Sequence, residues 1–317
     1  MEVRYVQPDG ELWLGHRAFH VRSSSSGHIV AATADGIVSI IGPDHCRVAS
    51  FSIGRELRSM SLHPAGQILV ATLDDGASLL DSTGRVWRTI AGPVVDAWFD
   101  DEGRLWTLAR GGSAHDASLS VYDSADQVTP RVRVRLVDPF GNSGWSFPNS
   151  ITSAPFPLWV ATAEEGQAVY WLETVPRGVR ANLHDDFEFC TPPRMSPAFN
   201  GFLLFAERNE LRRYTFPGLE LIASLDLPPG ASGADVRYLS EDDALVTTEA
   251  GIVYLIGLRA MSILAEVRVA GHEPSHLAGI VVARNHLVSV HRELPDPELR
   301  QHSTLVRWSD ARTYSGP

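Results

Sequence analysis

The chain of 317 residues contains no lysine, so all 27 of its basic side chains are arginine. That absence removes two chemistries at once: a lysine Schiff base and a phosphate-gripping P-loop lysine. It also suits a GC-rich, bacterial genome. Cysteine is scarce, with Cys46 and Cys190 far apart and no C-x-x-C pair. Two thiols in so long a chain point to a reducing compartment, with a single disulfide between them left open. No stretch approaches the roughly 20 apolar residues that span a bilayer. The amino terminus, MEVRYVQPDGELWLGH, lacks the basic start and apolar run of a secretory leader. The expected location is the cytoplasm. Basic charge is in deficit too: 38 acidic residues against 27 basic ones leave a net charge of −11. A field of that sign repels phosphate backbones and anionic lipid, so neither nucleic acid nor membrane is an expected partner.

What is present is a repeat. A β-branched run, a tight turn and a second apolar run recur from Gly27, Gly66, Gly103, Pro157, Gly201, Asp243 and Asn285. The spacing is about forty residues, the period of a blade-forming repeat, and the unit from Gly103 is enlarged. The copies include GHIVAATADGIVSIIG, GQILVATLDDGASLLD and DALVTTEAGIVYLIG. Turns such as Asp35-Gly36, Asp75-Gly76 and Glu165-Gly166 suit hairpins, because glycine accepts positive φ without steric cost. No segment sustains a 3.6-residue period. Near-continuous apolar runs fit strands buried on both faces, which requires the units to stack.

Particular residues resemble the WD-repeat family. Gly15-His16 and Gly271-His272 are similar to its Gly-His element in the loop entering a blade. Leu62-His63-Pro64-Ala65-Gly66 is similar to its turn before the second strand. Val306-Arg307-Trp308-Ser309-Asp310 and Leu119-Ser120-Val121-Tyr122-Asp123 resemble its closing Trp-Asp strand. Most copies lack both elements, so the family's His–Ser/Thr–Asp–Trp network is incomplete in most blades. The resemblance implies an all-β fold over residues 1–317: one closed β-propeller of about seven four-stranded blades. The last copy supplies three strands, and Met1–Gln7 is expected to complete it by pairing with the strand of Val306 and Trp308.

Candidate chemistry is thin. His272-Glu273-Pro274-Ser275-His276 has the letters of the H-E-x-x-H zinc signature, which works only on a helix where i and i+4 share a face. Pro274 and the flanking strand-like runs make it a blade-entry loop, and no metal ligand is assigned. Asp81-Ser82-Thr83-Gly84-Arg85-Val86-Trp87 resembles the repeat of quinone-binding propellers but occurs once, as a turn between outer strands. There is no G-x-S-x-G elbow and no phosphate-binding glycine loop, so no cofactor is expected. Ser23 to Ser26 read as a solvated turn.

The expected function is a non-catalytic interaction scaffold that binds a protein or peptide through one face. The alternative is a propeller hydrolase, lyase or lactonase acting on a small molecule at the channel mouth. In a WD-like blade, the turn between second and third strands opens on the face of the entering loop. Those turns carry Asp35, Asp74 with Asp75, Glu164 with Glu165, Glu207, Glu249 and Glu293, against Arg110, Arg208 and Arg292. The segment from Asp138 to Pro148 adds Phe140, Trp145 and Phe147. The expected binding set is Asp35, Asp75, Phe140, Trp145, Phe147, Glu165 and Glu249, facing a partner with a basic surface. Outside that complex the chain is expected to be monomeric.

Overall fold

The computed structural model describes the chain except for residues 19, 25, 34, 74–75, 101, 113–115, 138–144, 147–157, 163–168, 176–177, 185–192, 199, 284–285, 293–302 and 309–317. The described strands form two compact units: Phe19–Glu188, and Met1–Ala18 with Phe189–Pro317.

The amino-terminal strands are β1 (Glu2–Val6) and β2 (Pro8–Trp13). Four sheets then build the Phe19–Glu188 unit, each a meander of consecutive strands. The first is β3 (His20–Ser23), β4 (Ile29–Ala32), β5 (Ile37–Ile41) and β6 (Arg47–Ser52). The second is β7 (Ser59–Leu62), β8 (Ile68–Leu73), β9 (Gly76–Asp81) and β10 (Val86–Ala91). The third is β11 (Val94–Phe99), β12 (Leu105–Arg110), β13 (Asp116–Tyr122) and β14 (Val132–Val137). The fourth is β15 (Trp145–Ser146), β16 (Leu158–Thr162), β17 (Val169–Val175) and β18 (Gly178–His184).

The other unit holds three sheets. One is β19 (Arg194–Met195), β20 (Gly201–Glu207), β21 (Glu210–Thr215) and β22 (Leu221–Asp226). The next is β23 (Gly233–Tyr238), β24 (Asp243–Thr248), β25 (Val253–Gly257) and β26 (Ser262–Val269), with β1 added beyond β26. The last is β27 (Leu277–Ala283), β28 (His286–Arg292) and β29 (Ser303–Trp308), with β2 added beyond β29.

Within each unit consecutive sheets pack face to face, which explains the unbroken apolar runs. In β8, Leu69, Ala71 and Leu73 pack with Val30, Val38 and Ile40 of the first sheet. Their neighbour Val70 packs the other way, with Ala97, Phe99 and Leu105 of the third. A strand's side chains alternate between faces, so a strand walled on both sides carries apolar residues at every position. The same division sets Leu245 against the last sheet and Ala244 and Val246 against the sheet of Phe205.

The expected closure by Met1–Gln7 is corrected in detail. The strand that completes the last sheet is β2, paired antiparallel to β29 with Glu11 opposite Val306 and Trp13 opposite Thr304. β1 instead joins the preceding sheet, running parallel to β26 with Glu2 opposite Ala265 and Val6 opposite Val269. Pro8, at the first position of β2, forfeits no ladder donor the sheet needs. Burial drives the split: Val6 belongs to the core of Val267, Val269 and Trp308, so β1 buries one side chain that a single continuous strand would leave outside. Ser303 then secures the chain leaving β2. Its carbonyl accepts from the Leu14 N–H (3.0 Å), its own N–H donates to His16 O (3.0 Å), and its hydroxyl accepts from the Ala18 N–H (3.0 Å).

The last sheet holds a buried polar network around Trp308. The Trp308 indole donates to Ser289 Oγ (3.2 Å), and that hydroxyl lies 2.7 Å from His291 Nε2. The His291 ring packs on His272 at 4.3 Å between centroids, and His272 Nε2 lies 3.1 Å from Glu11 Oε1. A single turn of 3-10 helix spans Pro274–His276. No helix therefore puts residues 272 and 276 on one face, and His272 serves as an entry-loop residue bonded to the closing strand. The Asp81 turn is a hairpin whose carboxylate accepts from the Thr83 hydroxyl (2.5 Å) and N–H (2.8 Å). The serine run is less solvated than expected: Ser24 is buried and bonds with Ser26, which bonds in turn to His28.

Candidate functional site: the turn-and-loop rim

The turns between second and third strands are built alike where the sequences TADGI (Thr33–Ile37) and TEAGI (Thr248–Ile252) recur. In each, the threonine hydroxyl accepts from the isoleucine N–H, at 2.8 Å for Thr33 and 3.0 Å for Thr248. The glycine N–H returns to the threonine carbonyl, at 3.2 and 2.9 Å. Threonine thus caps the hairpin and leaves the acidic residue between it and glycine pointing to solvent; Asp35 and Glu249 are both exposed.

Glycine is required twice over. Gly36 and Gly251 have φ of +88° and +77°, and a Cβ on them would lie 2.3 Å from Arg55 O and 1.9 Å from Pro274 O. Those carbonyls belong to the loops entering the next sheet, so the turns and loops of each unit form one continuous edge. Ile53 N–H donates to Gly36 O (2.8 Å). In the other unit the loop 227–232 is stitched to two turns, with Leu227 N–H to Asn209 O and Glu249 N–H to Ser232 O, each 2.8 Å. Replacing Gly36 with alanine combines a left-handed backbone with a backbone clash. A stability loss of about 1–3 kcal/mol is expected from the strain alone, readable as a lower denaturant midpoint at unchanged slope; an unaltered midpoint would contradict the close approach.

Of the expected binding set, Asp35 stands on this edge in one unit and Glu249 on the corresponding edge of the other. Trp145 forms the start of the two-residue β15, opposite Thr162, on the first strand of its sheet. Asp75, Phe140, Phe147 and Glu165 lie outside the described residues, as do Asp74, Glu164 and Glu293. Glu207 is exposed at the end of β20. The charge is less one-sided than the turns alone suggest. Arg208 lies 3.9 Å from Glu249, both exposed, and a pair of that kind contributes little stability. Exposed Arg55 and Arg58 enter on the loop beside Asp35. Counting turns without loops overlooked them.

The first strands carry ionic groups that sequence reasoning missed. The Ser59 hydroxyl lies 2.6 Å from Asp96 Oδ1 and 2.9 Å from Thr72 Oγ1. His20 Nε2 bonds to Leu57 O (3.1 Å), and burial, then Arg22, hold its pKa below the usual imidazole value. In the other unit Asp235 receives Arg194 Nη2 at 2.7 Å and Arg237 Nη2 at 2.8 Å. Burial pushes that carboxyl upward, but the two guanidiniums outweigh it and hold it below the usual carboxylate range. Alternation of the kind Asp235-x-Arg237 was the available signal. Ser59 donates a hydrogen bond to the Asp96 carboxylate, while Asp235 pairs with two guanidiniums. Among the described residues no three His, Cys, Asp or Glu side chains are grouped to hold a metal ion.

No protein-family model matches the chain, and no curated protein sequence matches it. Among solved structures the chain is similar to the β-propeller domain of Cps50 (Swd1) from Myceliophteria thermophila. The identity is 14%, the TM-score 0.65, and the match covers 96% of this chain and 99% of that one. With sheets of consecutive strands stacked face to face, this likeness identifies the fold as an all-β, single β-propeller.

Proposed function

We propose that the chain is a non-catalytic scaffold that binds a protein or peptide partner across the turn-and-loop rim. The observation that carries this reading is the rim's construction: exposed charged side chains on turns that are themselves locked by threonine caps, glycine close approaches and loop-to-turn hydrogen bonds. Rigid backbones presenting exposed side chains lower the ordering cost of association. The ion pairs of Asp235 with Arg194 and Arg237 on the first strands support structure over turnover. Asp35, Glu249 and the other turn carboxylates, Asp75 and Glu165, meet basic groups on the partner, while Arg55 and Arg58 meet acidic ones. Phe140, Trp145 and Phe147 supply the aromatic anchor. Cytoplasmic residence is part of this reading.

The test uses a partner recovered from the native organism and its affinity for purified variants. Asp35→Arg and Glu249→Arg are expected to slow association and change its salt dependence. Trp145→Ala with Phe147→Ala is expected to weaken binding by about thirtyfold, the scale of one hot spot. Glu102→Arg, on the turn at the opposite end of the strands, should leave affinity unchanged. Loss of binding through Glu102 with the rim variants silent would overturn the assignment.

A further inference from the structure

We propose that two copies of this chain associate edge to edge through β1, in antiparallel register with Val3 opposite Val3. This surface is separate from the rim, and the inference does not rest on the scaffold reading.

β1 is the terminal strand of the five-stranded sheet and, among the described residues, pairs with nothing beyond β26. The direction of its backbone groups follows from one bond. Ala270 N–H donates to Val6 O (2.9 Å), so Val6 turns its polar groups toward β26. In a parallel ladder a residue's N–H and C=O point the same way and the next residue's point oppositely. Glu2, Arg4 and Val6 therefore bond inward, while Val3 and Tyr5 offer their N–H and C=O outward. The edge has no proline within it, and its charged residues are Glu2 and the half-buried Arg4. The side chains of Val3 and Tyr5 are 41% and 51% exposed, beside Leu264 at 42% on β26.

The occupant follows from charge. An antiparallel partner must place outward-bonding residues opposite one another. A copy of β1 satisfies this in three centred registers. Centring on Arg4 sets two guanidiniums face to face. Centring on Tyr5 sets Arg4 against Val6. Centring on Val3 sets Glu2 opposite the partner's Arg4 and Arg4 opposite the partner's Glu2, with Tyr5 opposite Met1. Glu2 and Arg4 already hold each other within one strand, at 3.1 Å. In the pair each exchanges that partner for its equivalent across the two-fold axis, at the closely spaced, non-hydrogen-bonded positions where side chains touch. The contact is isologous, as a two-fold dimer requires. Its small area places it among weak, concentration-dependent associations. This dimer departs from the expectation of a monomer outside its complex.

Sedimentation velocity on the full chain with an untagged amino terminus, over a concentration series, tests the register as well as the contact. The wild type should approach twice the single-chain mass at high concentration. Arg4→Glu and Glu2→Arg should each stay at single-chain mass with unchanged circular dichroism, since each sets like charges opposite. An equimolar mixture of these two variants should restore the doubled mass, because every cross-strand pair is then of opposite sign. Val3→Pro removes an outward donor and no internal bond, and it too should sediment as a single chain. A wild type that stays at single-chain mass throughout overturns the proposal. So does a doubled mass that Arg4→Glu leaves intact, or a variant mixture that does not associate.

Discussion

Deleting residues 1–13 is expected to leave a chain that no longer unfolds cooperatively, whereas deleting residues 1–6 should leave one that does. The longer deletion removes β2 and bares the free edge of β29, whose Leu305, Val306 and Trp308 are fully buried. It also removes the Glu11 contact to His272 and the Asp9–Arg307 ion pair at 2.7 Å. The sheet that remains has three strands and an unpaired edge along β29. Losses on that scale rival the whole stability of a domain, about 5–15 kcal/mol. The shorter deletion forfeits one buried side chain, Val6, and one parallel ladder, on the order of 1.5–3 kcal/mol for the burial. Thermal unfolding followed by circular dichroism separates the two. Equal effects, or a larger loss from the shorter deletion, would show that β1 and not β2 closes the last sheet.

The second large effect is expected at Asp235. Asp235→Ala withdraws the carboxylate from Arg194, which is buried, and from Arg237. Breaking a buried pair by removing one partner costs about 3–5 kcal/mol. The pH dependence has a definite sign. A carboxyl whose folded pKa lies below its unfolded value, about 3.9, contributes its full stability above that value. The contribution is lost as pH falls through the folded pKa. The gap between wild type and Asp235→Ala in chemical denaturation should therefore be wide at neutral pH and narrow in strong acid. A gap that stays constant across that range would mean the carboxylate's charge is not what holds the two arginines.

The parts of this fold that are legible in the sequence are those where a local segment carries its own physical signature. GQILVATLDDGASLLD announces a strand walled on both faces because Leu69 and Val70 must both be apolar, whichever neighbour each meets. TADGI and TEAGI announce turns through threonine and glycine. The amino terminus is different. EVRYV and PDGELW are both short alternating segments, and nothing local tells a parallel addition on β26 from an antiparallel one on β29. That choice is made by the burial of Val6 among residues more than two hundred positions away. The turns were half legible: carboxylates such as Asp35 and Glu249 are visible in the repeat, but Arg55 comes beside Asp35 only when the entering loop crosses Gly36. The Arg194–Asp235 pair joins residues of two sheets and has no motif at all.

The stitching of β2 to β29 also sets an order of events at the ribosome. β1 and β2 must wait for partners at Ala265–Val269 and Thr304–Trp308, which are made more than 250 residues later. Until then the nascent chain carries an alternating, half-apolar segment without its sheet, while the sheets between residues 20 and 184 can form in sequence as they appear. Contacts of such sequence separation make for slow final steps and a long window of exposed strand edges. A nascent-chain chaperone, or the edge pairing of two incomplete copies, would act in that interval, so the yield of native protein should fall most steeply for variants that slow the arrival of β29.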